Sequence, residues 1–176
     1  MWGIVDNVVL LHSEINNWKM YDAFIGNINV KTDEKGRVFI PASFRKILQS
    51  SGEERLILRK DVYKDCLILY PETIWKEKLN KLREDLDEWD EGQQDLFRQF
   101  SWLVEILEMD SNGRVLIPKK YWQMANVTNS VCFLGVNDII ELWNPDLLVK
   151  SMMSPENMKE GVKKFLVRSR QKKEPD

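Results

Sequence analysis

The feature that most narrows what this chain can fold into is a duplicated nonapeptide. Asp33-Glu34-Lys35-Gly36-Arg37-Val38-Phe39-Ile40-Pro41 aligns with Asp110-Ser111-Asn112-Gly113-Arg114-Val115-Leu116-Ile117-Pro118, at an offset of 77 residues from Asp33 to Asp110 and with six of nine positions identical. The match continues loosely, with Phe44 opposite Tyr121. Each copy also closes alike: Leu67-Ile68-Leu69-Tyr70-Pro71 resembles Ile140-Glu141-Leu142-Trp143-Asn144-Pro145 in ending an apolar run on an aromatic residue ahead of a proline. A repeat of this length predicts two copies of one small supersecondary unit.

Within each copy the local chemistry predicts strand, turn, strand, short helix and hairpin. Asn27 to Lys31 alternates with apolar Ile28 and Val30, and Leu103 to Met109 is rich in strand formers. Asp followed by Gly three residues on suits a tight turn, because Asp bonds its own backbone and Gly accepts positive φ. Val38 to Ile40 and Val115 to Ile117 are then expected as the return strands of two hairpins. Pro41 and Pro118 end those strands and suit a first helical turn, so Pro41 to Leu48 and Pro118 to Ala125 read as short helices.

Between the copies, Trp75, Leu79, Leu82, Leu86, Trp89, Leu96 and Phe97 recur at mostly helical spacing. This predicts one or two amphipathic helices broken near Gly92. A last helix is expected from Pro155 to about Arg168, followed by a polar, frayed tail. The resulting map is a leader over 1–19, a first module over 20–71, a helical insertion over 72–102, a second module over 103–145, and a C-terminal helix and tail over 146–176.

A formal charge of −2 argues, as a sum, against a polyanionic partner. Its distribution points the other way. Residues 31–60 hold eight basic residues against four acidic ones, while Glu84, Asp85, Asp87, Glu88, Asp90 and Glu91 crowd a separate segment. The longest apolar runs, such as Val8-Val9-Leu10-Leu11, fall well short of the ~18 residues of a membrane span. Two cysteines make no disulfide framework, and no basic region followed by an apolar one opens the chain, so a soluble protein of a reducing cytoplasm is expected.

The Asp-x-x-Gly-Arg motif, present twice and each time followed by an apolar strand and Ile-Pro, resembles the MraZ family pattern. So does the Phe-x-Gly opening at Phe24 and Gly26; the resemblance covers roughly Phe24 to Pro145. It implies a mixed α+β, β-rich fold of tandem pseudo-symmetric AbrB/SpoVT-type swapped-hairpin modules with added helices. It further implies a cytoplasmic, nucleoid-associated homo-oligomer, a ring, that represses the division and cell-wall gene cluster by binding promoter repeats in double-stranded DNA. Two departures stand out. Lys119-Lys120-Tyr121-Trp122 replaces Ala42-Ser43-Phe44-Arg45, so the arginine of the first helix lacks a counterpart. Met1 to Lys19 precede the usual opening, which makes Met20 the expected natural start, the alternative being an extra strand or helix.

Arg37 and Arg114 lead the candidate DNA-binding residues. Each sits at the exit of a tight turn, and a planar guanidinium suits phosphate oxygens or the guanine edge. Lys35 adds charge at one loop tip. Asp33 and Asp110 either form the turns and pair with the arginines, orient them for DNA, or hold subunits together. Arg45 and Lys46, and likewise Lys119 and Lys120, read either as part of the same face or as solvated helix surface.

Other chemistries find little support. The acidic run from Glu84 to Glu91 has no neighbouring nucleophile or base, so it reads as a solvated helix face. His12 is the only histidine, and Cys66 and Cys132 read as small buried strand residues. No catalytic residue, metal site, cofactor or small-molecule substrate is expected. Trp75 and Trp89 read as core or subunit-interface residues rather than base-stacking platforms. The competing function is a non-enzymatic ring-forming scaffold or protein-interaction module.

Overall fold

The structure, a computed structural model, describes residues 23–171. Contacts divide the chain into a unit ending at Pro145 and a second from Asp146 onward. The expectation that Met20 is the natural start falls on residues outside those described.

In the first unit, β1 (Phe24–Lys31), β2 (Arg37–Phe39), α1 (Ala42–Ser50), β3 (Arg55–Lys60) and β4 (Cys66–Pro71) carry the first repeat copy. Two helices follow, α2 (Glu72–Asp85) and α3 (Glu91–Trp102). The second copy is β5 (Val104–Glu108), β6 (Arg114–Leu116), α4 (Lys119–Met124), β7 (Ser130–Asn137) and β8 (Ile139–Trp143). α5 (Pro145–Ser151) starts at the last residue of the first unit and continues into the second, which also holds α6 (Pro155–Gln171). No helix among the described residues is long and apolar enough to cross a membrane.

The strands form one six-stranded antiparallel sheet, ordered β1-β7-β8-β4-β3-β5, and a separate two-stranded ribbon, β2-β6. β1 of one copy lies on β7 of the other, β5 lies on β3, and the order reads the same from either end when the copies are exchanged. The ribbon obeys the same symmetry, with Arg37 opposite Leu116, Val38 opposite Val115, and Phe39 opposite Arg114. The two copies therefore interleave.

This differs from the expected local hairpins. Val38 meets its own copy's first strand region at a single bridge, to Thr32, and otherwise pairs with the second copy. The physical reason is burial. A three-residue strand satisfies few backbone groups alone, whereas crossing places Val38 and Val115, each 1% exposed, back to back in a shared core.

Strand alternation separates the two faces of the sheet. Leu56, Leu58, Leu67 and Leu69 point into the main core with Val38, Ile40, Phe44, Val115, Ile117 and Tyr121. Ile57, Ile68 and Tyr70 point to the opposite face, where Trp75, Leu79 and Phe100 of α2 and α3 cover them. The ribbon, α1 and α4 thus occupy one face, and the helices flanking the acidic segment occupy the other. Arg59 is the one charged residue buried among those described; its guanidinium carbon lies 3.8 Å from the Phe100 ring centroid, fastening α3 to the sheet.

The helix break precedes Gly92. It spans Leu86 to Asp90, and the Asp90 side chain accepts the Gln93 N–H at 2.8 Å as an N-cap. Trp75 is buried and stacks on Phe100 at 5.5 Å, but Trp89 lies in the break and is 88% exposed, which corrects its reading as a core residue of this chain. Pro41 and Pro118 stand one position before the first helical residue, with extended ψ of 141° each.

Candidate nucleic-acid interface

The two Asp-x-x-Gly-Arg segments fold into near-identical turns. In the first, the Gly36 N–H donates to the Asp33 carbonyl at 3.0 Å, Gly36 takes φ 88°, and the Asp33 N–H donates to the Arg37 carbonyl at 3.0 Å. In the second, the Gly113 N–H donates to the Asp110 carbonyl at 2.9 Å, Gly113 takes φ 81°, and the Asp110 N–H donates to the Arg114 carbonyl at 2.8 Å. A glycine in the left-handed region closing a short turn is the geometry that lets a strand reverse over three residues.

Each Asp clamps its own turn and its own arginine. Asp33 Oδ1 accepts the N–H groups of Lys35 at 3.0 Å and Arg37 at 2.8 Å, while Oδ2 accepts Arg37 Nε at 2.6 Å. Asp110 Oδ1 accepts from Asn112 and Arg114, both at 2.9 Å, and Oδ2 takes Arg114 Nε and Nη2 at 2.8 Å. Lost hydration pushes the Asp33 carboxyl up, but the N–H of Arg37, its guanidinium and the N–H of Lys35 outweigh this and hold it below the ordinary range. The Arg114 N–H is the largest influence on Asp110, and it too lies low, with lost hydration opposing and the guanidinium and Asn112 N–H adding to the effect. Both acids are therefore ionised at neutral pH, and each holds its arginine in a fixed orientation through an ion pair. Arg37 commits only Nε to Asp33 among the described residues, leaving its terminal nitrogens as donors.

The turns are locked to each other. The Ile40 N–H donates to the Gly113 carbonyl at 3.0 Å, and the Ile117 N–H to the Gly36 carbonyl at 3.1 Å. Trp122 Nε1 also donates to the Gly36 carbonyl, at 3.2 Å, and Arg45 Nη1 donates to the Asn112 carbonyl, also at 3.2 Å. Trp122 occupies the repeat position of Arg45, so the arginine that had no chemical counterpart has a functional one; both supply an N–H to the opposite copy's turn.

The ribbon thus brings Arg37 and Arg114 to one outer face, with Lys35 exposed at the tip of the adjoining turn. Arg45 is half-buried against the second turn, and Lys46 is exposed on α1. Lys119 is exposed, while Lys120 reaches Glu105 at 3.5 Å and the Tyr121 ring at 4.9 Å. What sequence reasoning missed are Phe39 and Leu116, which share the outer face with the arginines and are 50% and 55% exposed. A cavity of about 600 Å³ lined by Leu86, Asp87, Glu88, Phe97 and Trp102 sits between α2 and α3, on the helical side of the sheet rather than at the ribbon.

A family model described as "MraZ protein, putative antitoxin-like" matches residues 23–97 and 105–148, spanning both turns and the sheet. The chain belongs to the MraZ family. It is 53% identical over 133 residues to the transcriptional regulator MraZ of Bacteroides thetaiotaomicron, covering 76% of this chain and 85% of that protein. It is 50% identical over 134 residues to the MraZ of Phocaeicola vulgatus, with 76% and 87% covered. The more distant MraZ of Shewanella oneidensis is 34% identical over 121 residues, with 69% and 79% covered. As a member of the MraZ family, the chain has its two glycine turns and its crossed ribbon inside the matched segments.

Proposed function

We propose that this chain is a non-enzymatic, sequence-specific regulator of transcription that binds double-stranded DNA through the outer face of the β2-β6 ribbon. The observation that carries the reading is the pair of aspartate-clamped arginines, Arg37 and Arg114, held on one face by an interleaved pair of repeat copies. A two-stranded ribbon fits the major groove, and positioned guanidinium groups suit phosphate or guanine. Lys35 and Lys46 supply further positive charge; Asp33 and Asp110 set the geometry, and Arg45 contributes through the turn it braces. The relatives' name, transcriptional regulator, supports the same reading.

The interleaving supports AbrB/SpoVT-type swapped-hairpin modules as the unit of binding. A ring-shaped homo-oligomer is supported by the two sheet edges that have no partner strand among the described residues, β1 with exposed Ile25 and β5 with exposed Ile106. Two different edges on one subunit favour head-to-tail contacts, which form a ring where the rotation between subunits closes. Several subunits then engage several promoter repeats at high effective concentration, repressing the division and cell-wall gene cluster from a cytoplasmic, nucleoid-associated location. The acidic segment lies on the helical side of the sheet, which reconciles a net charge of −2 with a polyanionic ligand.

The test is binding to the fragment upstream of the protein's own gene, carrying one repeat or several, titrated with salt. Affinity that rises steeply with repeat number and falls steeply with salt supports the reading. Equal affinity for single-repeat and multi-repeat fragments removes cooperative binding, and no salt-dependent binding favours the scaffold alternative.

A further inference from the structure

The outer face of the ribbon is not simply basic. Val38 and Val115 are 1% exposed and point inward, so residues 37, 39, 114 and 116 all point outward. Register sets Arg37 opposite Leu116 and Phe39 opposite Arg114, giving a chequered quartet of two cations and two apolar side chains. The Arg114 guanidinium carbon lies 5.7 Å from the Phe39 ring centroid, fixing the ring beside the charge. Phe39 and Leu116 nonetheless remain half exposed.

Strand spacing puts the Cα atoms of the two arginines about 8 Å apart on the diagonal. Against a rise of about 3.4 Å per base along a strand, this spans roughly two steps. The apolar pair occupies the other diagonal of the quartet, each side chain level with one cation, and covers the base edges beside the points the cations reach. Among those edges, thymine alone offers an apolar group in the major groove, its C5 methyl.

Building on the DNA-binding reading above, we infer that Phe39 and Leu116 are specificity-determining residues that pack on thymine methyl groups in the major groove. The arginines supply phosphate or guanine contacts, and the apolar pair adds a preference for thymine that no hydrogen bond provides. Phe and Leu at equivalent repeat positions make the two halves of the ribbon unequal readers, the larger ring covering more of its base.

The experiment compares upstream fragments made with thymine or with uracil throughout, which differ by the methyl alone, by fluorescence anisotropy. The proteins are the wild type, Phe39→Ala, Leu116→Ala, the double variant and Arg37→Ala. The wild type should bind uracil DNA more weakly by about fourfold per methyl contacted. The double variant should bind both fragments equally while keeping the wild-type salt slope, because no phosphate contact has been removed. Equal wild-type affinity for the two fragments, or unchanged discrimination in the double variant, overturns the inference while leaving Arg37-dependent DNA binding standing. Loss of assembly by the double variant in light scattering also overturns it, assigning this face to a second copy. If the wild type and Arg37→Ala bind the thymine fragment equally, the DNA-binding reading fails first.

Discussion

Arg45 and Trp122 occupy equivalent positions in the two repeat copies, and each donates an N–H at 3.2 Å to a carbonyl in the other copy's glycine turn, Arg45 to Asn112 and Trp122 to Gly36. One is a cation and the other an indole, yet both brace the ribbon from outside its own hydrogen-bond ladder. The face that carries Arg37 and Arg114 is therefore held by side chains from both copies at once.

Trp122→Phe should lower stability by about 2 kcal/mol, combining a lost hydrogen bond with a small packing defect at a buried position. The Gly36 carbonyl keeps its bond from the Ile117 N–H, so the ribbon should persist. Thermal unfolding should show a melting temperature lower by about 4–8 °C. An unchanged melting temperature would show that the crossing bond contributes nothing.

The two turn glycines should not tolerate alanine equally. Both lie at positive φ, so each substitution carries roughly 1–2 kcal/mol of backbone strain. A Cβ on Gly36 would meet the Ile117 backbone carbonyl at 2.6 Å, whereas on Gly113 it would meet the Arg45 side chain, which can swing aside. Gly36→Ala should therefore be the more destabilising in denaturant unfolding. Gly113→Ala should mainly break the Arg45 to Asn112 bond. The reverse order of midpoints would contradict this packing.

Much of this was legible because Asp, Gly and Pro act locally. The Asp33 and Asp110 turns, the helices after Pro41 and Pro118, and the buried strand cysteines follow from side-chain chemistry within a few residues. Strand partnership does not: nothing near Val38 says that its ladder lies with Val115, 77 residues on, rather than with Thr32. The same limit hid the Arg45 and Trp122 equivalence, since unlike residues can donate to the same kind of carbonyl. Gly92 looked like the helix breaker, but Asp90 caps α3 and Gly92 is absorbed in its first turn. Trp89 fitted a helical stripe only until that break moved it into solvent.

Asp33 and Asp110 define an acid limb. A carboxyl held below its ordinary value of 3.8 in the fold adds stability at higher pH, and that stability is lost as pH falls through the depressed value. Glu72, held low by Lys76 and, against some lost hydration, by Arg55, acts with the same sign. DNA affinity and melting temperature should show no transition from these groups between neutrality and the ordinary carboxylate range, then fall below it. Asp33→Asn with Asp110→Asn should shrink the acid limb and weaken DNA binding already at neutral pH. A pH profile identical to wild type would remove the clamps from the account.

Cys66 and Cys132 should be inert thiols. Burial pushes Cys66 up to about 12, with the charges of Glu141 and Asp61 adding to it, and burial also raises Cys132. At mildly alkaline pH an aromatic disulfide reagent should detect no thiol in the native protein and both after denaturation. Fast native labelling of either would contradict their burial.

The most direct measurement is the affinity of Arg37→Ala and Arg114→Ala for the protein's own upstream fragment at near-physiological salt, alongside wild type, with oligomeric state checked by light scattering. Each variant should stay folded and assembled, lose about 1–3 kcal/mol per engaged site, roughly 5- to 150-fold, and show a shallower dependence of affinity on salt. Wild-type affinity and salt slope in both variants would contradict the claim that the crossed ribbon is the DNA-binding face.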